Sequence, residues 1–124
     1  MMQGHVNTGY EAVISLVIKH DSKLKSINAV IDTGFLSLLQ SIIDELELPW
    51  SYSDFATLGD GSQTLFDVHD ATIIWDGQFR EIEINSADTD PLLGMKMLRG
   101  FRLQVDTIQG GLVTIEALPN VNDN

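Results

Sequence analysis

The sequence predicts a small, mainly β domain, either a β-barrel or a sandwich, with one or two short helices. Runs rich in Val, Ile and aromatic residues recur along the chain, and turn signals such as Asp-Gly and Gly-Gly separate them. Only one long segment has helical periodicity, and there is no βαβ rhythm, internal repeat or linker. We therefore expect one domain over residues 1–118, followed by a polar, disordered tail over residues 119–124.

The first half of the chain is predicted to hold two strands and a helix. Residues 11–19 and 26–31 are rich in Val and Ile, and the second run leads directly into Asp32-Thr33-Gly34. Residues 35–48 are predicted to form an amphipathic helix that ends before Pro49, because apolar residues recur there at helical spacing: Leu38, Leu39, Ile42, Ile43 and Leu46.

The second half is predicted to consist mainly of hairpins. Leu58-Gly59-Asp60-Gly61-Ser62 is a tight turn signal between strand-like runs, and Asp76-Gly77 marks the clearest hairpin. Residues 95–99 are expected to form a short helix closed by Gly100. A last hairpin is predicted from residues 101–106 and 112–118 around Gly110-Gly111.

The amino-acid composition argues against several kinds of function. The chain has no cysteine, so disulfides and thiol chemistry are excluded, and His5, His20 and His69 lack metal-ligand spacing. We expect neither metal nor cofactor. Seven scattered Lys and Arg residues and a net charge of −11 make nucleic acid and anionic membranes poor partners. No apolar run approaches the roughly 20 residues of a membrane helix, so a cytoplasmic location is expected.

Asp32-Thr33-Gly34 is the motif with the clearest chemical content. A buried strand that ends in these residues presents a carboxylate at a turn, although a plain surface turn would accept them too. Val30-Ile31 precede the motif, and Leu92-Leu93-Gly94 follows about 60 residues later. This pair of motifs resembles the retropepsin-like aspartic proteases, the family of retroviral proteases and small bacterial relatives, and the resemblance covers nearly the whole chain.

The resemblance implies a closed barrel of the retropepsin type, with a psi-loop at the catalytic strand and a flap hairpin. It implies a homodimer, because one chain supplies only one Asp32 and the reaction uses two carboxylates that share a proton. The catalytic residues would be Asp32, Thr33 and Gly34. The residues that bind a peptide or protein substrate, with Gly59–Ser62 as the flap tip, would be Phe35, Leu36, Leu58, Gly59, Asp60, Gly61, Ser62, Leu92, Leu93 and Gly94.

The sequence departs from the retroviral pattern directly after the motif. Retroviral members place a small residue and then polar or acidic residues there, whereas this chain has Phe35 and Leu36. Two hypotheses therefore remain. The first is a homodimeric aspartic endopeptidase that cleaves an extended, apolar-flanked peptide. The alternative is a catalytically silent dimeric module of the same fold, which would bind a partner's extended segment by strand addition.

Overall fold

The structure of the chain is a computed structural model that describes residues 1–32, 36–88 and 90–119. It is built mainly from β-strands. Within the described residues, one helix, α1 (Gln40–Leu46), and one 3₁₀ turn at Met95–Leu98 accompany them. The ten strands found in the same ranges are β1 (Met2–Val6), β2 (Ala12–His20), β3 (Lys23–Asp32), β4 (Leu36–Leu39), β5 (Trp50–Thr57), β6 (Gln63–Trp75), β7 (Gln78–Ala87), β8 (Leu92–Gly94), β9 (Phe101–Val105) and β10 (Leu112–Ala117).

Six of these strands close into a barrel. Their order around the ring is β6, β7, β4, β8, β3 and β2, and β2 pairs with β6 to complete it. Strands β1, β10 and β9 extend the sheet beyond β2, and β5 extends it beyond β6 as one arm of a long hairpin. The predicted mainly β fold is thus confirmed, and it is a closed barrel rather than a sandwich.

The barrel interior is filled by alternate side chains of its strands. On β2 the inward positions are Ile14, Leu16 and Ile18, all at most 2% exposed. On β6 the inward positions end at Trp75, whose ring meets Phe101 edge to face at 5.5 Å between centroids. This period of two is what a strand with one face on the core requires, and it explains why these runs were predictable.

The predicted helix over residues 35–48 is wrong in its first part. Residues Leu36–Leu39 form β4, which pairs in parallel with β7 and antiparallel with β8. Leu36 and Leu38 are both fully buried, so the segment alternates before α1 begins at Gln40. Pairing with two neighbouring strands outweighs the helical spacing of the leucines, because tertiary contacts override local propensity. Glu47 ends the helix in the left-handed conformation, with φ 53°.

The predicted turns agree with the structure. Asp76 and Gly77 both have positive φ, as a two-residue turn between β6 and β7 requires. The expected helix over residues 95–99 is a 3₁₀ turn, and Gly100 follows it with φ 84°. Residues 120–124 of the predicted tail lie outside the described residues. Nowhere in the described ranges is there a helix with the length and apolar character needed to cross a membrane.

Candidate active site

Asp32 is the last residue of β3 and is exposed to solvent. It lies opposite Gly94, the last residue of β8, in the parallel register of these two strands. Within the described part of the chain, the Asp32 carboxylate makes no hydrogen bond or ion pair. Strand β3 therefore ends in a carboxylate, that of Asp32, which is accessible to solvent. The other two residues of the predicted catalytic motif, Thr33 and Gly34, and the neighbouring Phe35, lie outside the described residues.

Strand β8 is held between β3 and β4, which is the psi-loop arrangement. Leu92 pairs with Val30 on one side and with Ser37 on the other, and Leu93 pairs with Ile31 and Leu36 in the same way. Neighbouring strands are about 4.8 Å apart, so β4 begins about 10 Å across the sheet from the end of β3. This topology brings Asp32 and the start of β4 to one region of the barrel.

Two of the predicted binding residues in this region, Leu36 and Leu93, have side chains that point into the protein. Leu36 and Leu93 are fully buried members of the core, whereas Leu92 is half-buried. Gly94 is buried and extended, with φ −80°. In this structure Leu36 and Leu93 thus support the barrel from inside.

The predicted turn at residues 58–62 joins β5 to β6 at the tip of the long hairpin. The Leu58 amide donates to the Ser62 carbonyl at 2.7 Å, and the Gly61 amide donates to the Leu58 carbonyl at 2.9 Å. The Asp60 Oδ1 atom accepts the Ser62 hydroxyl at 2.6 Å and the Ser62 amide at 2.9 Å. These bonds favour the ionised carboxylate and hold the pKa of Asp60 below its usual range. Gly61 has φ 85°, a conformation that glycine adopts freely.

The long hairpin exposes an unusual number of apolar side chains. Five large apolar or aromatic residues on it are between 41% and 65% exposed: Trp50, Tyr52, Phe55, Leu58 and Leu65. A soluble protein seldom leaves such a group uncovered unless the surface meets another molecule. Hydrogen bonding to the nearby Glu83 carboxylate on β7 raises the pKa of the Tyr52 hydroxyl.

The base of the hairpin is anchored to the segment that follows α1. The Nδ1 atom of His69 lies 3.0 Å from the Leu48 carbonyl oxygen, and a proton on this nitrogen would be donated to it. The Asp70 amide donates to the Pro49 carbonyl at 3.0 Å. His69 is only 7% exposed, so this contact is shielded from water. The hairpin is therefore fixed at its base and projects freely at its tip.

A groove of about 520 Å³ lies between the hairpin and the barrel. One side is formed by Ser37 and Gln40, at β4 and the start of α1. The hairpin contributes Ala56 and residues 64–66, and residues 85–88 at the end of β7 form the remaining wall. Ser37 pairs with Leu92, which in turn pairs with Val30, two residues before Asp32. The groove thus begins near the end of the strand that carries the candidate catalytic residue.

Among the described residues, none that lines this groove is one of the predicted binding residues. Ser37 and Gln40 were assigned to a continuous helix, and residues 85–88 approach β4 only through the parallel pairing of β4 with β7. Parallel pairing joins residues distant in sequence, and local patterns do not reveal it. A usable signal was the alternation of Leu36 and Leu38, which distinguishes a short strand from the first turn of a helix.

Other polar features lie away from Asp32. A larger groove of about 810 Å³ lies beside the β2–β3 turn and is lined by residues 19–21, 70–72 and 80–83 together with Pro49 and Met97. None of the predicted site residues that the structure describes lines this groove. Over the described ranges, no three His, Asp or Glu side chains come close enough to hold a metal ion.

The closed barrel, the strand β8 held between β3 and β4, and the long hairpin together define the fold of the retropepsin-like aspartic proteases. The chain is similar to a crystal structure of a retropepsin-like aspartic protease from Rickettsia conorii. The TM-score is 0.63 with 16% sequence identity, over 94% of this chain and 92% of that one. At this identity the likeness is one of fold. Neither a protein-family model nor a curated protein sequence matches the chain.

Proposed function

We propose that the protein is a homodimeric aspartic endopeptidase in which each chain supplies one Asp32 to a shared catalytic pair. The observation that carries the proposal is the position of Asp32: an exposed carboxylate at the end of β3, beside β8, in a barrel with the fold of retropepsin-like proteases. One such carboxylate is insufficient for the reaction. A two-fold axis near the end of β3 would provide the second, because it brings the same residue of the partner to the same place.

The pair would supply both proton transfers of peptide hydrolysis. Two carboxyl groups a few Å apart share one proton, since both cannot ionise at low cost. The ionised carboxylate accepts a proton from a water molecule while the water oxygen attacks the peptide carbonyl carbon. The protonated carboxyl group donates its proton to the carbonyl oxygen. Transfer of a proton to the amide nitrogen then allows the C–N bond to break. Every proton comes from water or from Asp32, so the scheme uses neither metal nor cofactor.

The long hairpin would serve as a flap over the substrate. Its anchored base and its exposed apolar side chains, among them Phe55, Leu58 and Leu65, fit an element that folds down on an extended peptide and excludes water. The hydrogen bonds within residues 58–62 would keep the tip compact during that movement. We further propose a cytoplasmic location.

The test is cleavage of a diverse peptide library by the wild type and by the variant Asp32→Asn. The variant is expected to lose about 10³-fold or more in kcat/KM, because an amide cannot take up the proton from water. The variant Asp21→Asn removes the same charge at the exposed β2–β3 turn and should cleave like the wild type. Equal cleavage by the wild type and Asp32→Asn would rule out the proposed mechanism.

One observation favours the alternative of a binding module. Leu36 occupies a position that is polar or acidic in retroviral members, and its side chain is fully buried, so it offers nothing to a substrate backbone. A module of this kind would bind an extended segment in the groove and release it unchanged. Saturable binding of peptides without any cleavage over a long incubation would favour the alternative.

A further inference from the structure

The charged and polar side chains around the groove between the hairpin and the barrel indicate which kind of peptide would bind there. This inference rests on the proposed function, because it treats the groove as part of the substrate cleft. Among the lining residues Asp88 carries a charge, and Ser37, Gln40 and Asn85 offer side-chain oxygens. No Lys or Arg of the described chain lines the groove. The lining is therefore able to accept hydrogen bonds and to balance a positive charge.

The stretch of sequence from β3 to the turn between β6 and β7 is rich in acidic residues. From residue 26 to residue 79 it contains nine Asp and Glu residues and no Lys or Arg, although the whole chain has seven basic residues. On the hairpin, Asp54 lies directly opposite Phe66, a lining residue, and Asp67 follows it. The Asp67 carboxylate accepts a hydrogen bond from Ser53 at 2.7 Å, which holds it in place. The groove thus lies in a region of negative potential.

Four of the seven basic residues have partners outside the groove lining. Lys23 and Lys25 form ion pairs with Glu47 and Glu45 of the α1 segment, at 3.1 and 3.0 Å. Arg102 pairs with Glu116, and the Arg80 guanidinium stacks over Trp75 and donates to the Met97 carbonyl. Lys96 and Arg99, on and after the 3₁₀ turn, also have interaction partners. Lys23, Lys25, Arg80 and Arg102 are therefore bound to groups outside the groove lining.

We propose that this groove binds a Lys or Arg side chain of an extended peptide, with Asp88 as its counter-charge. The substrates are then basic peptide segments rather than purely apolar ones. An ammonium or guanidinium group donates several hydrogen bonds, which the Asp88 carboxylate and the oxygens of Ser37, Gln40 and Asn85 accept. The hairpin lies over the stem of the bound side chain, and Phe66 contacts its methylene groups.

The first measurement is binding to Asp32→Asn, which keeps the full chain and removes turnover. Two fluorescent peptides that differ only in Lys or Gln at one position are titrated by fluorescence anisotropy, and the position is scanned along the peptide. At one position Lys should improve binding about two- to fivefold, the range expected for one partly exposed charge pair. Adding Asp88→Asn should remove this gain, whereas adding Asp21→Asn should preserve it, because Asp21 lies at the β2–β3 turn. Adding Asp88→Lys should reverse the preference, so that the Gln peptide binds better than the Lys peptide at that position.

The second measurement is cleavage of the same peptides by the wild type. Asp32-dependent cleavage with equal kcat/KM for Lys and Gln at every position would overturn the inference and leave the proposed function standing. Absence of cleavage, with an Asp88-dependent preference for Lys in binding, would overturn the proposed function and support the ligand class. If Asp21→Asn weakens Lys binding as much as Asp88→Asn does, the preference reflects net charge alone and the groove assignment is wrong.

Discussion

Asp32 and Gly94 lie opposite each other where the parallel strands β3 and β8 end. This pairing fixes the end of the strand that presents the Asp32 carboxylate to solvent. Strand β8 is covered on both sides, by β3 and β4, and Leu93 and Leu36 beside it are fully buried. The rigid centre of the barrel therefore determines where the strand that carries Asp32 ends.

Leu36 is expected to govern stability rather than substrate choice. The variant Leu36→Ala should lower the free energy of unfolding by about 2–5 kcal/mol, because it empties a fully buried site. Leu36→Met nearly conserves volume and should cost less than about 1.5 kcal/mol. Urea denaturation measures both, and Leu65→Ala, at a side chain 59% exposed, is the control with little expected change. A loss below about 1 kcal/mol for Leu36→Ala would contradict the burial seen here.

His69 is expected to hold the base of the long hairpin. His69→Ala removes a buried ring and leaves the Leu48 carbonyl without its partner, so the free energy of unfolding should fall by about 2–4 kcal/mol. Hydrogen exchange of the neighbouring Asp70 amide, which donates to Pro49, should become faster. His5→Ala, at an exposed histidine of β1, should change neither quantity. Unchanged exchange at Asp70 in His69→Ala would argue against an anchoring role.

The hairpin tip is expected to depend on pH through Asp60. The pKa of this carboxyl lies below its ordinary value of 3.8, mainly because the Ser62 hydroxyl and then the Ser62 amide bond to the ionised form. A lowered pKa in the folded state means that the stabilisation is complete above pH 3.8 and is lost as the pH falls through the folded value. Carboxyl NMR titration should show the lowered pKa, and Ser62→Ala should raise it towards 3.8. An unchanged titration curve in Ser62→Ala would show that the hydroxyl bond has no effect.

The sequence predicts the parts of the fold that local patterns control. Strand β3 ends at Asp32 as expected, and Asp76-Gly77 turns between β6 and β7, because a period of two and a positive-φ dipeptide are both visible in the residues themselves. Strand β4 is predicted wrongly as part of a helix, because the spacing of its leucines imitates helical periodicity.

The sequence predicts one part of the candidate site and misses the other. Asp32 follows from a motif, but the groove does not, because Ser37 and Asp88 come together only through the pairing of β4 with β7. Register between distant strands depends on the whole barrel rather than on any window of sequence. The role of Asp32 and the peptide-binding residues remain predictions until they are tested by substitution.

The most direct test of a shared catalytic pair is a subunit-mixing experiment. Wild type and Asp32→Asn are mixed in equal amounts, allowed to exchange, and assayed at a fixed total protein concentration. If the active site needs one Asp32 from each chain, only wild-type homodimers cleave, and these are about one quarter of all dimers after random exchange. The proposal therefore predicts about one quarter of the wild-type activity. An activity of about one half would show that each chain works alone and would contradict the shared pair.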